Sequence, residues 1–377
     1  MRYEAEQTRL VRESAVDFVR RAEPLKAMRS IRGLETGFPE RLRAMMGDAG
    51  WFGLLAPETL GGSAADYADV AALCEELGKG LVEGPILQEA VLLTGVLAAL
   101  PPTKLRDELL SRQAQGNLAG ALAFGVDSPS ADLRCPAFIA IPDGNDFILN
   151  GECTRVRVAN DPEGFMVGAE TPEGPMLGWL SREIVNLEVT KLWLVDGTAA
   201  CSVRASGVRL PHQMVLAIGD PATRAINEGL DLATVMAAAA LFGVGSAAAA
   251  LTRDYLNTRV QFGKPIGSFQ SLAHRAVDQY IQLELAQDAL DHAVASLSTT
   301  SVGDTARIMA VARVKSRCSD AAIKITRESI QMHGAIGFTD EYDAGLFLKR
   351  SLVLSAWLGN GSQHRRRYAE LNLKETI

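Results

Sequence analysis

The sequence contains no Cys-x-x-Cys pair and no Cys/His spacing of the kind that holds zinc. Its five cysteines, Cys74, Cys135, Cys153, Cys201 and Cys318, are scattered and odd in number. Neither a disulfide framework nor a metal site is expected, and a reduced, cytoplasmic setting fits. The opening Met1-Arg2-Tyr3-Glu4 lacks the apolar run of a signal peptide. Excess basic charge is missing too: 38 Lys and Arg against 45 Asp and Glu leave a net charge of -7, and Arg365-Arg366-Arg367 is a short basic run. That balance gives no basic face for a nucleic-acid backbone. No segment is polar or repetitive enough to be disordered, so an ordinary folded interior is expected from the 47% hydrophobic content. Val235 to Leu251 carries no charge, but it consists mainly of Ala and Gly. It reads as a helix buried in a bundle, not as a membrane span.

At 377 residues, two or three packed units are expected. Residues 1–118 read as an all-α domain. Leu10, Ala15, Phe18 and Val19 recur at helical spacing, as do Leu42, Met45, Met46, Ala49 and Phe52, and Tyr67 to Leu77 forms another amphipathic helix. Helix ends are marked at Pro57-Glu58-x-x-Gly61-Gly62, Gly78-Lys79-Gly80 and Gly84-Pro85. Residues 119–222 change to short apolar runs such as Phe138 to Ile141, Phe147 to Leu149, Phe165 to Val167, Met176 to Leu180 and Cys201 to Val203. Asp143-Gly144-Asn145, Asn150-Gly151 and Pro172-Glu173-Gly174 supply turn chemistry between them. An antiparallel β-sandwich or barrel follows. Residues 223–377 return to helix, with an apolar stripe of Leu272, Ala276, Tyr280, Leu283, Leu290, Val294 and Leu297, and read as a four-helix bundle. The fold class is therefore α+β: helices, a β domain, then a bundle.

The stretch richest in chemistry is Arg259 to Gln270. A guanidinium can hold phosphate through two parallel charge-assisted bonds, while Gly263, Pro265 and Gly267 break the helix and let the backbone reverse beside it. A nucleotide site and a plain helix-to-helix loop both fit these residues alone.

Arg259-x-x-Phe262-Gly263-x-Pro265-Ile266-x-x-Phe269-Gln270, followed by Gln331-x-His333-Gly334-Ala335-Ile336-Gly337-Phe338-Thr339-x-Glu341, resembles the acyl-CoA dehydrogenase family. Pro57-Glu58-x-x-Gly61-Gly62 and Asn150-Gly151 fall where that family uses them, and the resemblance covers essentially the whole chain. It implies a tetrameric FAD protein that removes the α and β hydrogens of an acyl-CoA and passes electrons to an electron-transfer flavoprotein. Arg259, Gln261, Phe262 and Gln270 would touch the pyrophosphate and adenosine part of FAD, with Gln331 and Gly334 closing over the adenosine end. In the family, this grip acts on the flavin of a neighbouring subunit.

The chain departs from the family where the chemistry should be. Proton abstraction beside a thioester carbonyl needs a carboxylate. At the usual Glu near the C-terminus this sequence has Gly359, or Asn360 with a one-residue gap; at the alternative Glu it has Ala233, followed by Thr234. The segment that lays hydroxyls against the flavin ring has Gly125 and Ala131 instead, and the flanking Trp-Ile-Thr becomes Arg155-Val156-Arg157. Alternating charge on an exposed strand face accounts for those two arginines equally well.

The catalytic base is therefore unknown. Asp231, Asp340, Glu341 and Asp343 are the nearby acids, with Asp231 expected to point away and Glu341 to cap a helix from Tyr342. Three functions stay open. The chain is a base-lacking subunit, similar to the small subunits of heterotetrameric acyl-CoA dehydrogenases, that completes a partner's FAD site; or it is a self-sufficient homotetramer with a relocated base; or it is a flavin-free scaffold. His333, His274 and His364 show no triad or metal arrangement and are assigned no chemistry.

Overall fold

The computed structural model describes residues 5–31, 37–125 and 136–376. Among the described residues, helices occupy the chain as far as Ala114, eight strands lie between Gly120 and Ile218, and helices dominate again from Asp220. By packing, the chain forms two compact units: one of Met1–Arg29, Tyr67–Glu83 and Val235–Ile377, the other of Ser30–Asp66 and Gly84–Thr234.

The first unit is helical. Helix α1 (Glu6–Ala22) buries Thr8, Val11, Ala15, Phe18 and Ala22, one helical stripe. Leu10 falls outside that stripe and is exposed. After α2 (Pro24–Ile31), and α3 (Glu40–Asp48) of the other unit, α4 (Tyr67–Lys79) is buried almost all round instead of on one face. Its acids are accommodated by pairing: Arg12 bonds Glu75 (2.9 Å) and Glu76 (2.7 Å), and Lys79 bonds both as well.

The second unit opens with α3 and includes a helix over residues 84–99. Gly84-Pro85, expected to end a helix, starts this one, because a proline in the first helical turn gives up only an amide hydrogen that has no intrahelical acceptor. Ile86–Leu93 adopts the wide π form and is buried at every position, and it continues as α5 (Thr94–Ala99). Within the π segment, Glu89 receives two bonds from Arg43 (3.0 and 2.7 Å), whose guanidinium lies over the Phe52 ring.

After α6 (Lys104–Ala114), strands β1 (Gly120–Ala123), β2 (Phe138–Asp143), β3 (Asp146–Arg157), β4 (Gly164–Thr171), β5 (Gly174–Ser181), β6 (Leu187–Trp193), β7 (Ala199–Leu210) and β8 (Val215–Ile218) form one sheet in the order β6-β7-β3-β2-β4-β5-β8. The sheet is mixed: β1 and β2 pair in succession with the same strand β4, both parallel to it, and the other pairings are antiparallel. Gly144-Asn145 and Pro172-Glu173 do make hairpins. Asn150-Gly151 does not: it lies inside β3 at a register shift, where Gly151 takes φ +143 and a Cβ would stand 2.6 Å from Ala137 O. The inner face packs Phe138, Leu149, Phe165, Val167, Leu180, Val203 and Val208 into one core.

Helix α7 (Asp220–Thr258) contributes to both units. It is long and apolar enough to cross a membrane, yet 78% of its apolar window is buried inside the protein. Gly229 meets the α5 backbone, where a Cβ would lie 3.0 Å from Val96 N, and Gly243 meets α4 at Glu75 O. The exit from α7 is a small hairpin, β9 (Val260–Gln261) and β10 (Lys264–Pro265), and then α8 (Gln270–Thr299), α9 (Thr305–His333), α10 (Ala344–Ala356) and α11 (Gly361–Thr376) follow. Helices α8, α10 and α11 all pack on α9. Tyr280, expected in the core stripe of α8, is exposed, and Gln279 is buried in its place through bonds to Ile325 O and Ser329 Oγ.

Burial pushes the Glu89 carboxyl up to about 7, against the opposing pull of Arg43. With the folded value above the unfolded one, its stabilising contribution is complete below the usual carboxylate range and is lost as pH rises through 7. The Glu89→Gln variant is expected to lose that component of the pH dependence, read as a flatter plot of urea midpoint against pH from 4.5 to 8; an unchanged slope refutes the assignment.

Candidate functional site

Arg259, the first residue after α7, reverses the chain: its amide donates to Tyr255 O (2.9 Å) and its carbonyl accepts from Ile266 N (2.8 Å). Between these bonds Phe262 and Gly263 form a two-residue turn at φ +52 and +78. A large aromatic in the left-handed region is costly, and such residues collect at functional sites. Phe262 is 93% exposed, edge-on to Phe269 at 6.1 Å, and Lys264 Nζ lies 4.5 Å over the Phe269 ring. The hairpin therefore presents an aromatic tip instead of burying it.

Each of the six residues expected to grip FAD, Arg259, Gln261, Phe262, Gln270, Gln331 and Gly334, is exposed on the helical unit. The side chain of Arg259 makes no hydrogen bond or ion pair among the described residues, and Gln261 Nε2 reaches only the adjacent Val260 O (2.9 Å). A guanidinium, an amide and a flat ring on the hairpin, with further amides at the start of α8 and near the end of α9, have the chemistry to suit a phosphate and an adenosine. These residues fit the group.

The second motif is braced from below. His333 is buried; its Nδ1 donates to Ser329 O (2.6 Å) and its Nε2 accepts from Tyr342 Oη (3.0 Å), with Tyr255 stacked at 4.4 Å. A carbonyl can only accept, so this tautomer follows. Burial lowers the His333 pKa, favouring the neutral ring, and raises that of Tyr342. Ile336 and Phe338 project from the turn above.

The candidate bases resolve differently. Asp343 accepts from Arg29 Nη2 (2.6 Å) and Nε (3.0 Å), and the same guanidinium bonds Asp340 O. It is an ion-paired strut. Glu341 is exposed, and α10 begins at Ala344 with Asp343 at its N-cap, later than the start expected at Tyr342. Asp231 is buried, as is Ala233, and Thr234 Oγ1 turns back on Leu230 O (2.6 Å). Asn360, the other residue considered for the base position, is the cap of α11: its Oδ1 accepts from Gln363 N (3.0 Å) while Gln363 Oε1 accepts from its own amide (2.8 Å). Gly359 precedes it at φ +94.

In the sheet unit, Arg155 and Arg157 part company. A register shift between Cys153 and Val156 puts Arg155 at φ +56 on the surface and turns Arg157 inward, so an exposed charged face accounts for Arg155 alone. With its amide oriented to suit its neighbours, Gln88 accepts from Arg157 Nε (3.2 Å). Gly125 N donates to Cys153 Sγ (3.2 Å). Ala131 lies outside the described residues. The bulge carried no signal beyond a run of alternating residues, whereas the cap was missed although Asn360-x-x-Gln363 has the spacing of a capping box.

Two family models match this chain: acyl-CoA dehydrogenase, N-terminal domain, over residues 5–117, and acyl-CoA dehydrogenase, C-terminal domain, over residues 223–371. The chain belongs to the acyl-CoA dehydrogenase family. Among curated relatives, acyl-CoA dehydrogenase IpdE2 of Mycolicibacterium smegmatis is 28% identical over 365 residues, 96% of this chain and 98% of that protein. Among solved structures, the ChsE4-ChsE5 complex from Mycobacterium tuberculosis matches with a TM-score of 0.88 at 24% identity, covering 100% of this chain and 99% of that one. A Tcur3481-Tcur3483 steroid ACAD variant matches at 0.87 and 23%, covering 98% and 99%. These structural likenesses establish the fold.

The Arg29–Asp343 pair is half-exposed. Arg29→Ala and Asp343→Asn should each cost up to about 1 kcal/mol in urea unfolding, with the double variant no worse than either single. Additive losses would show that the two side chains act separately.

Proposed function

We propose that this chain is the base-lacking subunit of a heteromeric acyl-CoA dehydrogenase and completes the FAD site of a carboxylate-bearing neighbour. The single observation that carries this is the contrast between its two sets of family positions. Arg259, Gln261, Phe262, Gln270, Gln331 and Gly334 are present and exposed, whereas Gly359 and Ala233 replace both carboxylates and a buried Arg157 replaces a ring-side threonine. Bound FAD supplies the hydride acceptor for α,β-dehydrogenation of a CoA thioester, and an electron-transfer flavoprotein takes the electrons. Arg259 would hold the pyrophosphate, the amides of Gln261, Gln270 and Gln331 would orient ribose and phosphate, and Phe262 would offer its ring to the adenosine.

Two further observations support an assembly. Helix α8 exposes Val277, Tyr280, Ile281 and Leu285, an apolar stripe at helical spacing beside the hairpin's own element. The names of two similar structures, ChsE4-ChsE5 and Tcur3481-Tcur3483, each describe a pair of different chains. A paralogous subunit in a cytoplasmic tetramer fits both.

Purified alone, the chain is expected to be nearly colourless. Co-purified with a paralogue bearing the family Glu, it should be yellow and reduce a ferricenium acceptor with acyl-CoA. Arg259→Ala should weaken FAD retention of the assembly at least about tenfold, the size of a lost charge-assisted phosphate contact. Stoichiometric FAD with turnover in the lone chain would eliminate this reading in favour of a self-sufficient homomer; a flavin-free assembly would favour a scaffold.

A further inference from the structure

The turn that joins α10 to α11 has an unusual backbone. Two consecutive residues, Leu358 at φ +60 and Gly359 at φ +94, are left-handed, and both are buried. A buried leucine in that region persists only where its surroundings over-determine it, and here each side of the turn is held by a buried side chain. Upstream, Lys315 of α9 is fully buried, and its Nζ donates to Leu354 O (2.9 Å) and Ser355 O (3.1 Å), two of the terminal carbonyls of α10, with Ser319 Oγ at 3.5 Å. An ammonium on the C-terminal carbonyls satisfies orphan acceptors and the helix dipole together. Downstream, the buried His364 donates from Nε2 to Leu358 O (2.8 Å), and the reciprocal Asn360–Gln363 cap fixes the start of α11.

We propose that Lys315 and His364 are positioning residues that lock the Trp357–Asn360 turn in its left-handed course, and that this backbone, as well as the residue at 359, keeps a catalytic carboxylate out of the site. The inference rests on the reading that Gly359 stands at the family's base position. Burying an ammonium is expensive, so a residue that does so at a helix end sets geometry at a cost to stability. A left-handed residue also points its Cβ away from the direction it takes in a right-handed turn. A glutamate placed at 359 would be both strained and re-aimed. The absent base is therefore a property of the whole turn, supported from α9 and α11, and a single reversion does not undo it.

Thermal unfolding of the lone chain tests the lock without any flavin. Gly359→Ala should lower Tm by roughly 2–4 °C, as expected for an L-residue forced left-handed in a chain of this size. Gly359→Asn should lie between the two, and Gly345→Ala, inside α10 with open space around it, should raise Tm. In the His364→Ala background the Gly359→Ala loss should shrink to less than about half, and His364→Gln, which keeps a donor, should restore it. Additive losses overturn the lock. If His364→Ala fails to fold, the Lys315→Met background gives the same comparison.

The chemical arm is exchange of the α-hydrogens of butyryl-CoA in D2O, followed by NMR with the assembled protein after the neighbour's own base has been changed from Glu to Gln, so that exchange reports on position 359 alone. Gly359→Glu should leave the rate within about twofold of wild type, while a tenfold rise would show that the turn accepts a working base. Failure of the half-site reading is distinct, because it would appear as turnover by the unmodified lone chain with the Tm series unchanged.

Discussion

The buried ammonium of Lys315 is the contact on which the C-terminal half of the helical unit depends. Helix α9 carries it to the carbonyls that end α10, and the course of the next four residues follows. The same helix ties its other neighbours through small hydroxyls: Ser329 reaches Ala248 O of α7 (3.3 Å), and Thr326 meets Ser351 of α10 (3.1 Å). Each bond spends one polar group on another inside a close-packed interior, where an unmet partner would cost more than the bond returns. The helices around α9 are thus set by polar pairing as much as by apolar fit. The exposed hairpin and the braced His333 turn are placed by those same helices.

The sheet unit solves a different problem. Its strands alternate in and out, yet the residue that matters most, Arg157, breaks the alternation because one bulge in β3 shifts the faces. A guanidinium turned into the unit finds Gln88 in a π segment, while Arg43 meets Glu89 one residue on. Buried polar groups of this kind are retained in pairs, and the wide helix brings two adjacent polar side chains to them. Among the described thiols, burial pushes Cys201 and Cys318 up to about 12, which keeps them protonated.

The proposed function rests on the contrast between two sets of family positions. The helical unit keeps an open grip of cation, amides and an aromatic held in a costly conformation. The positions of base and ring contact carry glycine, alanine and arginine. Neither half of that contrast would be informative alone: an exposed arginine is commonplace, and so is a lost carboxylate in a diverged protein. Found in one chain of a flavoenzyme family, they are the ground on which we propose a site finished by another chain.

Much of this was legible in the residues. The helix, strand, helix order and the chain reversal at Gly263, Pro265 and Gly267 are local, because turn chemistry acts within about four residues. So was the absence of both carboxylates, which is a matter of identity at a position. Tertiary structure alone decided the rest. It put Asn150-Gly151 inside a strand, made Gly84-Pro85 a beginning, exposed Tyr280 and buried Gln279, and turned Arg157 inward while leaving Arg155 outside. It also paired Asp343 with Arg29 and Lys315 with the end of α10, partners 314 and 39 residues apart for the bonds concerned. The physical reason is common to all of these: burial, pairing and register depend on what stands opposite a residue in space, and periodicity along a chain records only its neighbours.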